Sequence, residues 1–89
     1  MVVEFDKSFV KSLDKLKTAI LNKKIEKLIL EFEKSNSINE IYNIKKLVGF
    51  QSYYRIRIGD YRIGLELINA KTLRFIIVSH RKDIYKIFP

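Results

Sequence analysis

The sequence predicts an α+β domain in which a helical hairpin packs on one face of a mainly antiparallel sheet. Three observations predict it. Residues 53–68, YYRIRIGDYRIGLELI, alternate apolar and polar side chains and break once, at Gly59-Asp60. Period-two alternation makes a strand with two distinct faces, and Gly-Asp between two such runs suits a two-residue type II′ turn. The run LRFIIVS within Thr72–His80 is apolar on both faces, as in a central strand covered on both sides. Upstream, Phe9, Leu13 and Leu16, and then Leu21, Ile25, Leu28, Ile29 and Phe32, recur at helical spacing. Two short amphipathic helices joined by a tight turn form an αα-hairpin that lies on a sheet.

The elements follow in order. Residues 2–5 are a short β-prone run, predicting an N-terminal strand. Asp6 is placed as the N-cap of a helix over about residues 7–17, and Thr18 as the cap of a second over about 19–34. Ser35-Asn36-Ser37 breaks that helix. Ser37 and Glu40 have capping-box spacing, which predicts one more helical turn over residues 38–42. Residues 44–50 lead into the sheet, with Gly49 as a bend. The hairpin, a loop at residues 69–71 and the last strand come next. Residues 81–89 form a tail in which 81–85 make one helical turn. The predicted order is β-αα-β-β-β plus the tail, with the helices on one face.

Composition narrows the class. The 89 residues predict a single domain spanning 1–89, and 47% hydrophobic content is that of a globular chain. Cysteine is absent and histidine occurs once, which excludes disulfides and zinc sites built on cysteine or several histidines. No apolar run approaches the roughly 18 residues of a membrane span, and no signal-peptide core begins the chain, so a cytoplasmic location is expected. The net charge of +8, from 18 Lys+Arg against 10 Asp+Glu, predicts an anionic partner.

The tight turn fixes a register. Ile58 lies opposite Tyr61, Arg57 opposite Arg62, Ile56 opposite Ile63 and Arg55 opposite Gly64. Opposed residues share a sheet face. Tyr54, Ile56, Ile58, Tyr61, Ile63, Leu65 and Leu67 therefore make one apolar face, and Arg55, Arg57 and Arg62 gather on the other. Like charges directly across a strand pair are destabilising. A local rule broken without structural gain marks a functional site. The bland alternative is a solvated outer face. Three arginines in fixed register, with Gly64 leaving open space above the sheet, favour an anion site. A four-residue loop in the second hairpin would pair Ile68 with Leu73 and Arg62 with Ser79. Ser79, His80 and Arg81 then arrive beside the cluster, with Tyr85 leaning over it.

The candidate set is Arg55, Arg57, Arg62, His80, Arg81 and Tyr85. Arginine binds phosphate bidentately. Tyrosine offers a flat face to a nucleobase. Imidazole exchanges protons near neutrality. Phosphate clamps, a stacking ring and a proton carrier suit RNA cleavage by the 2′-hydroxyl, which needs no metal or cofactor. Glu66 and Asp83 are isolated, which does not suggest a two-metal nuclease, and Glu66 reads as a salt-bridge partner. The hairpin lysines read as a solvated helix face.

The segment KKLVGFQSYYRIRIGDYRIGLEL, followed by FIIVSHRKDIYK, resembles the RelE/ParE superfamily of toxins from type II toxin–antitoxin systems. The likeness extends to the early FDKSFVKSLDKL helix. The resemblance implies a small RelE-like fold and a ribosome-dependent messenger-RNA endoribonuclease that contacts 16S rRNA, works without metal or membrane, and is held by a cognate antitoxin. By the same resemblance, Arg55 and Arg57 take the paired basic positions of the central strand. Arg62 takes the hairpin phosphate-holding position, Arg81 the basic position after the last strand, and Tyr85 the stacking position. Well-studied RelE enzymes carry lysines where Arg55 and Arg57 stand. A lysine can lose its proton, whereas an arginine keeps it. His80 is therefore the expected proton carrier and Arg81 the group that offsets developing charge. The alternatives on the same fold are a ParE-like toxin that inhibits DNA gyrase, and a degenerate toxin that only binds its antitoxin.

Overall fold

The computed structural model describes residues 1–89. Its five-stranded sheet has the order β1-β5-β4-β3-β2. The strands are β1 (Val2–Phe5), β2 (Ile44–Lys46), β3 (Tyr53–Ile58), β4 (Tyr61–Asn69) and β5 (Thr72–His80). The β1/β5 pair is parallel and the other three are antiparallel. Helices α1 (Lys7–Leu16) and α2 (Ala19–Lys34) cover one face, and a short α3 (Ile84–Ile87) lies in the tail. The expected β-αα-β-β-β order thus gains a strand. β2 is only three residues, Ile-Lys-Lys, too short to show a periodicity of its own.

The core forms between the helices and the predicted apolar face. Phe9, Leu21, Ile25, Leu28 and Phe32 meet Ile56, Ile63, Leu65, Leu73, Phe75 and Val78, all buried, and Ile29 packs at the margin. Phe75 sits at the centre of a ring cluster, 5.5 Å from Phe5, 5.3 Å from Phe9 and 5.9 Å from Phe32 between centroids. No helix is long and apolar enough to cross a membrane.

Of the helix N-caps, Asp6 and Ser37 make side-chain capping bonds, and Thr18 and Asp83 do not. The Asp6 carboxylate accepts from the Ser8 backbone N–H at 3.0 Å and from its hydroxyl at 2.5 Å. Lys17, expected as the last helical residue, instead takes a left-handed conformation (φ 46°) and caps α1 through its N–H to the Leu13 carbonyl. Thr18 occupies the N-cap of α2 without a capping bond, because its hydroxyl donates back to the Leu16 carbonyl at 2.9 Å. The extra turn is a 3-10 turn over Ile38–Glu40 rather than 38–42. Its capping box is complete: Asn39 N–H donates to Ser37 Oγ, and Ser37 N–H to Glu40 Oε2.

Hydrogen bonds from Ser8, first its hydroxyl and then its N–H, hold the Asp6 carboxyl below its ordinary value of 3.8. A carboxyl whose folded value is lowered stabilises the fold above its unfolded value. That contribution disappears as pH falls through the folded value. Asp6→Ala should therefore melt below the wild type at pH 7, and the gap should close on the acid side of the ordinary carboxylate range. Thermal melts of both proteins across that range test this. A gap that persists in acid would mean that the neutral carboxyl caps equally well.

The second hairpin departs from the expected register. Asn69 pairs with Thr72, and Leu67, not Ile68, faces Leu73. Between Gly64 and Leu65 the ladder slips by one, since Gly64 faces Ile77 while Leu65 faces Phe75. Ile76 is the residue bulged out. The two deviations cancel, and Arg62 still faces Ser79. The bulge explains the unbroken apolar run Phe75 to Val78. It lets Phe75 and Val78, three residues apart, both enter the core. It also leaves backbone groups beyond the end of β1, and α1 takes them. The Ser8 hydroxyl shares its one proton between the Asp6 carboxylate and the Ile76 carbonyl, and Val78 N–H donates to Ser12 Oγ at 3.0 Å.

Candidate active site

The site begins with the first hairpin. Gly59 takes a positive φ of 56°, as its turn position requires. The register is the expected one: Arg57 faces Arg62, Arg55 faces Gly64 and Tyr53 faces Glu66. β2 adds Lys45 directly across from Arg55. Sequence reasoning missed that lysine, because the only signal for it was a strand too short to recognise.

Arg62 is buried, with 8% exposure. Its Nη1 donates to the carbonyls of Gly59 at 2.8 Å and Tyr61 at 2.9 Å. No carboxylate accompanies it, for the one ion pair in the molecule joins Arg74 to Glu4 at 3.0 Å. Burial, and then the positive charges of Arg57 and Arg55, hold its guanidinium below the usual arginine value, with a smaller push from Arg81 in the same direction. Arg55 Nε is likewise buried and has no hydrogen-bond partner. Buried cations are normally paired. Arg62 is such a cation without a carboxylate, and the unpartnered Nε of half-buried Arg55 lies on the same sheet face, so an anion can take up donors that the protein leaves free. The expected salt bridge at Glu66 does not form, since Arg74 turns to Glu4 instead.

The tail supplies the remaining wall. Arg81 extends the ladder past β5 by donating its N–H to the Asp60 carbonyl at 2.8 Å, and its side chain is exposed. The helical turn forms at residues 84–87, after a run of turn residues at 81–83, rather than over 81–85. Tyr85 does not join the core. It is 64% exposed, and the Arg55 guanidinium lies 5.7 Å from its ring centroid, within cation–π range. Ile84 and Phe88 anchor the tail and are both buried. Phe88 corrects another expectation. The space above Gly64 is not open, because a Cβ there would stand 2.6 Å from Phe88 Cγ. Gly64 serves ring packing, and α3 lies on the face opposite α1 and α2.

His80 does not join the arginines. It pairs with Tyr61, whose side chain packs against the core. Their rings stand 5.9 Å apart, edge to face. Its Nδ1 accepts from Lys82 N–H at 3.2 Å, and its neighbours across the adjoining cavity include Lys11 and Lys15 of α1. The same register that brings Ser79 to Arg62 turns His80 to the other face of the sheet. Arg55, Arg57, Arg62, Arg81 and Tyr85 gather, and His80 is separated from them. No three His, Asp or Glu side chains converge anywhere in the chain.

Residues 3–85 match the family described as ParE toxin of type II toxin–antitoxin system, parDE. The chain belongs to this family. Within it the chain is RelE-like. It is 48% identical to Toxin RelE3 of Methanocaldococcus jannaschii over 90 residues, covering the whole of both chains. The toxin's fold superposes on the crystal structure of the RelB-RelE antitoxin-toxin complex from Methanococcus jannaschii with a TM-score of 0.81. The identity there is 46%, over 97% of this chain and 99% of the other. YafQ from E. coli shares the fold alone, with TM-score 0.63 and 19% identity over 90% and 92% of the two chains. The α+β architecture of this RelE-like toxin is that of the family.

Proposed function

We propose that this toxin is a ribosome-dependent messenger-RNA endoribonuclease acting in the cytoplasm as one domain over residues 1–89. The observation that carries the reading is the buried Arg62 guanidinium, which has no carboxylate partner, beside half-buried Arg55, whose Nε is buried and unpartnered and whose guanidinium lies against the exposed ring of Tyr85. In the proposed reaction Arg57 and Arg62 hold the scissile phosphate and Tyr85 stacks on a base. The 2′-oxygen attacks phosphorus to form a 2′,3′-cyclic phosphate, the bond to the 5′-oxygen breaks, and that oxygen takes a proton from water. Arg55, Arg62 and Arg81 offset the charge that grows on the phosphorane and the leaving oxygen. Electrostatic stabilisation of this kind is usually the largest catalytic term. Phosphate contacts on the arginine face do not by themselves orient a single strand for in-line attack. The ribosome supplies that orientation, worth several kcal/mol of barrier (up to about 7–11 in favourable cases). Primer extension on messenger exposed briefly to the purified toxin, with and without ribosomes, tests this. Discrete breaks on ribosome-bound message only are expected, and equal cutting of naked message would overturn ribosome dependence.

Because His80 faces away from the arginines, its imidazole has no part in this reaction, and the 2′-hydroxyl proton passes to water or ribosomal RNA. His80→Gln is expected to keep the cleavage rate within about threefold and the pH profile unchanged, against the hundredfold or greater loss typical of a missing acid–base group. Single-turnover rates from pH 5 to 9 check this.

The matched family carries the ParE description, which favours inhibition of DNA gyrase as the second reading. Loss of supercoiling activity in a gyrase assay, with messenger left intact, would select it. Under either reading a cognate antitoxin is the natural partner, as in the RelB-RelE complex of the similar structure. With a toxin charge of +8, an acidic antitoxin segment should associate at a rate that falls steeply with salt. Stopped-flow mixing at graded ionic strength measures that, and a flat salt dependence would count against charge-steered docking.

A further inference from the structure

Beside the arginine cluster lies a cavity of about 540 Å³ that the phosphate-holding role does not use. Its apolar walls come from two segments far apart in sequence. Leu47, Val48 and Phe50 belong to the loop between β2 and β3, and Tyr85, Phe88 and Pro89 belong to the tail. Phe50 is 44% exposed and Val48 95% exposed. The Phe50 ring is buttressed from behind. It meets Tyr53 at 5.8 Å, and Tyr53 meets Phe88 at 5.4 Å, both edge to face. Fixed, half-exposed aromatic rings hold apolar surface ready for a ligand.

The charges around the cavity say what kind of ligand. Arg55, Lys45 and Lys46 line it, and no acidic side chain does. Arg55 belongs to both regions, with its Nε buried and unpartnered and its guanidinium against Tyr85. The occupant must therefore be flat and apolar on its faces, and attached to an anion that reaches the arginines. We propose that the cavity holds one nucleobase of single-stranded RNA, adjacent to the scissile phosphate, with Phe50 as its stacking partner. The loop over residues 47–52 then sets which codons are cut. The substrate class rests on the ribonuclease reading, while the cavity and its walls are independent of it.

The test uses the full chain and a non-cleavable 2′-O-methyl RNA trinucleotide. A trinucleotide of the same backbone with the bases removed, and inorganic phosphate, serve as controls. The intact trinucleotide should shift the NMR signals of Leu47, Val48 and Phe50, and the controls should shift only those of the arginines. Phe50→Ala should weaken trinucleotide binding about tenfold or more, the scale of one lost base stack. It should leave the abasic affinity unchanged, which also reports an intact fold, and Phe50→Trp should restore binding. On ribosomes Phe50→Ala should flatten codon preference. If intact and abasic strands bind alike, or if Phe50→Ala binds both as the wild type does, the inference falls even where the toxin cleaves message. If an acidic peptide shifts the residue 47–50 signals and the trinucleotide does not, the cavity is a protein-docking site and the inference falls. If base-dependent binding at Phe50 is seen in a toxin that cuts no message, the base site stands and the ribonuclease reading fails alone.

Discussion

Arg62→Met should lower cleavage of ribosome-bound messenger by about 10²–10³, the scale of a lost oxyanion donor, while the melting temperature stays level or rises. The two effects have one cause. Arg62 is desolvated, lacks a carboxylate and faces Arg57 across the strand pair. An uncompensated buried charge is costly, and replacing buried charge with apolar volume is often neutral or stabilising. Methionine keeps most of the packing volume. The hydrogen bonds to the Gly59 and Tyr61 carbonyls are lost, at about 1 kcal/mol each or more, which limits the gain. Arg62→Lys should recover part of the activity, since a point charge remains but the forked donors do not. Primer extension and thermal melts on the same preparations decide. A variant that melts several degrees lower and still cleaves would make Arg62 a structural residue.

The second large effect is expected at Gly64. A methyl group there meets the Phe88 ring at 2.6–2.7 Å, closer than carbon atoms can stand. Either the sheet or the tail must move, and the tail is held by fewer contacts. Gly64→Ala should lift Phe88 and carry Tyr85 away from Arg55. Cleavage should fall about as far as in Tyr85→Ala. Stability should fall by only about 1–3 kcal/mol, typical of overpacking, because the main core lies on the other face of the sheet. Adding Phe88→Leu makes room for the methyl group and should restore part of the activity. A Gly64→Ala protein with full activity would show that the position of the tail does not matter to the reaction.

Much of this was legible in the residues, for reasons that can be named. The Gly-Asp turn has one register, so the arginine face followed from alternation alone. Helix α2 came out at its observed bounds because its apolar spacing is regular and Ser35-Asn36-Ser37 stops it. Three of the failures share a cause, a contact between distant segments; the placing of His80 failed for a local reason. The bulge at Ile76 exists because Phe75 and Val78 both have a place under the helices and Ser8 and Ser12 stand ready to bond the displaced backbone. Phe88 fills the space over Gly64 from 24 residues away. His80 was grouped with the arginines by its closeness in sequence to Ser79, yet adjacent residues on a strand point to opposite faces. Lys45 depended on a three-residue strand that only its pairing with β3 creates.

The serine hydroxyls of α1 have a consequence for how this protein can meet another chain. An open sheet usually exposes, along each border, a row of backbone groups that can recruit a foreign strand. Here one border is the three-residue β2, which carries Lys45 and Lys46. The other is the four-residue β1, and past its end Ser8 and Ser12 occupy backbone groups of β5 that would otherwise invite a continuation. Neither border offers a long run of free donors and acceptors. Partners must therefore recognise side-chain relief and charge rather than extend the sheet, and the toxin is shielded from stacking border to border with its own copies.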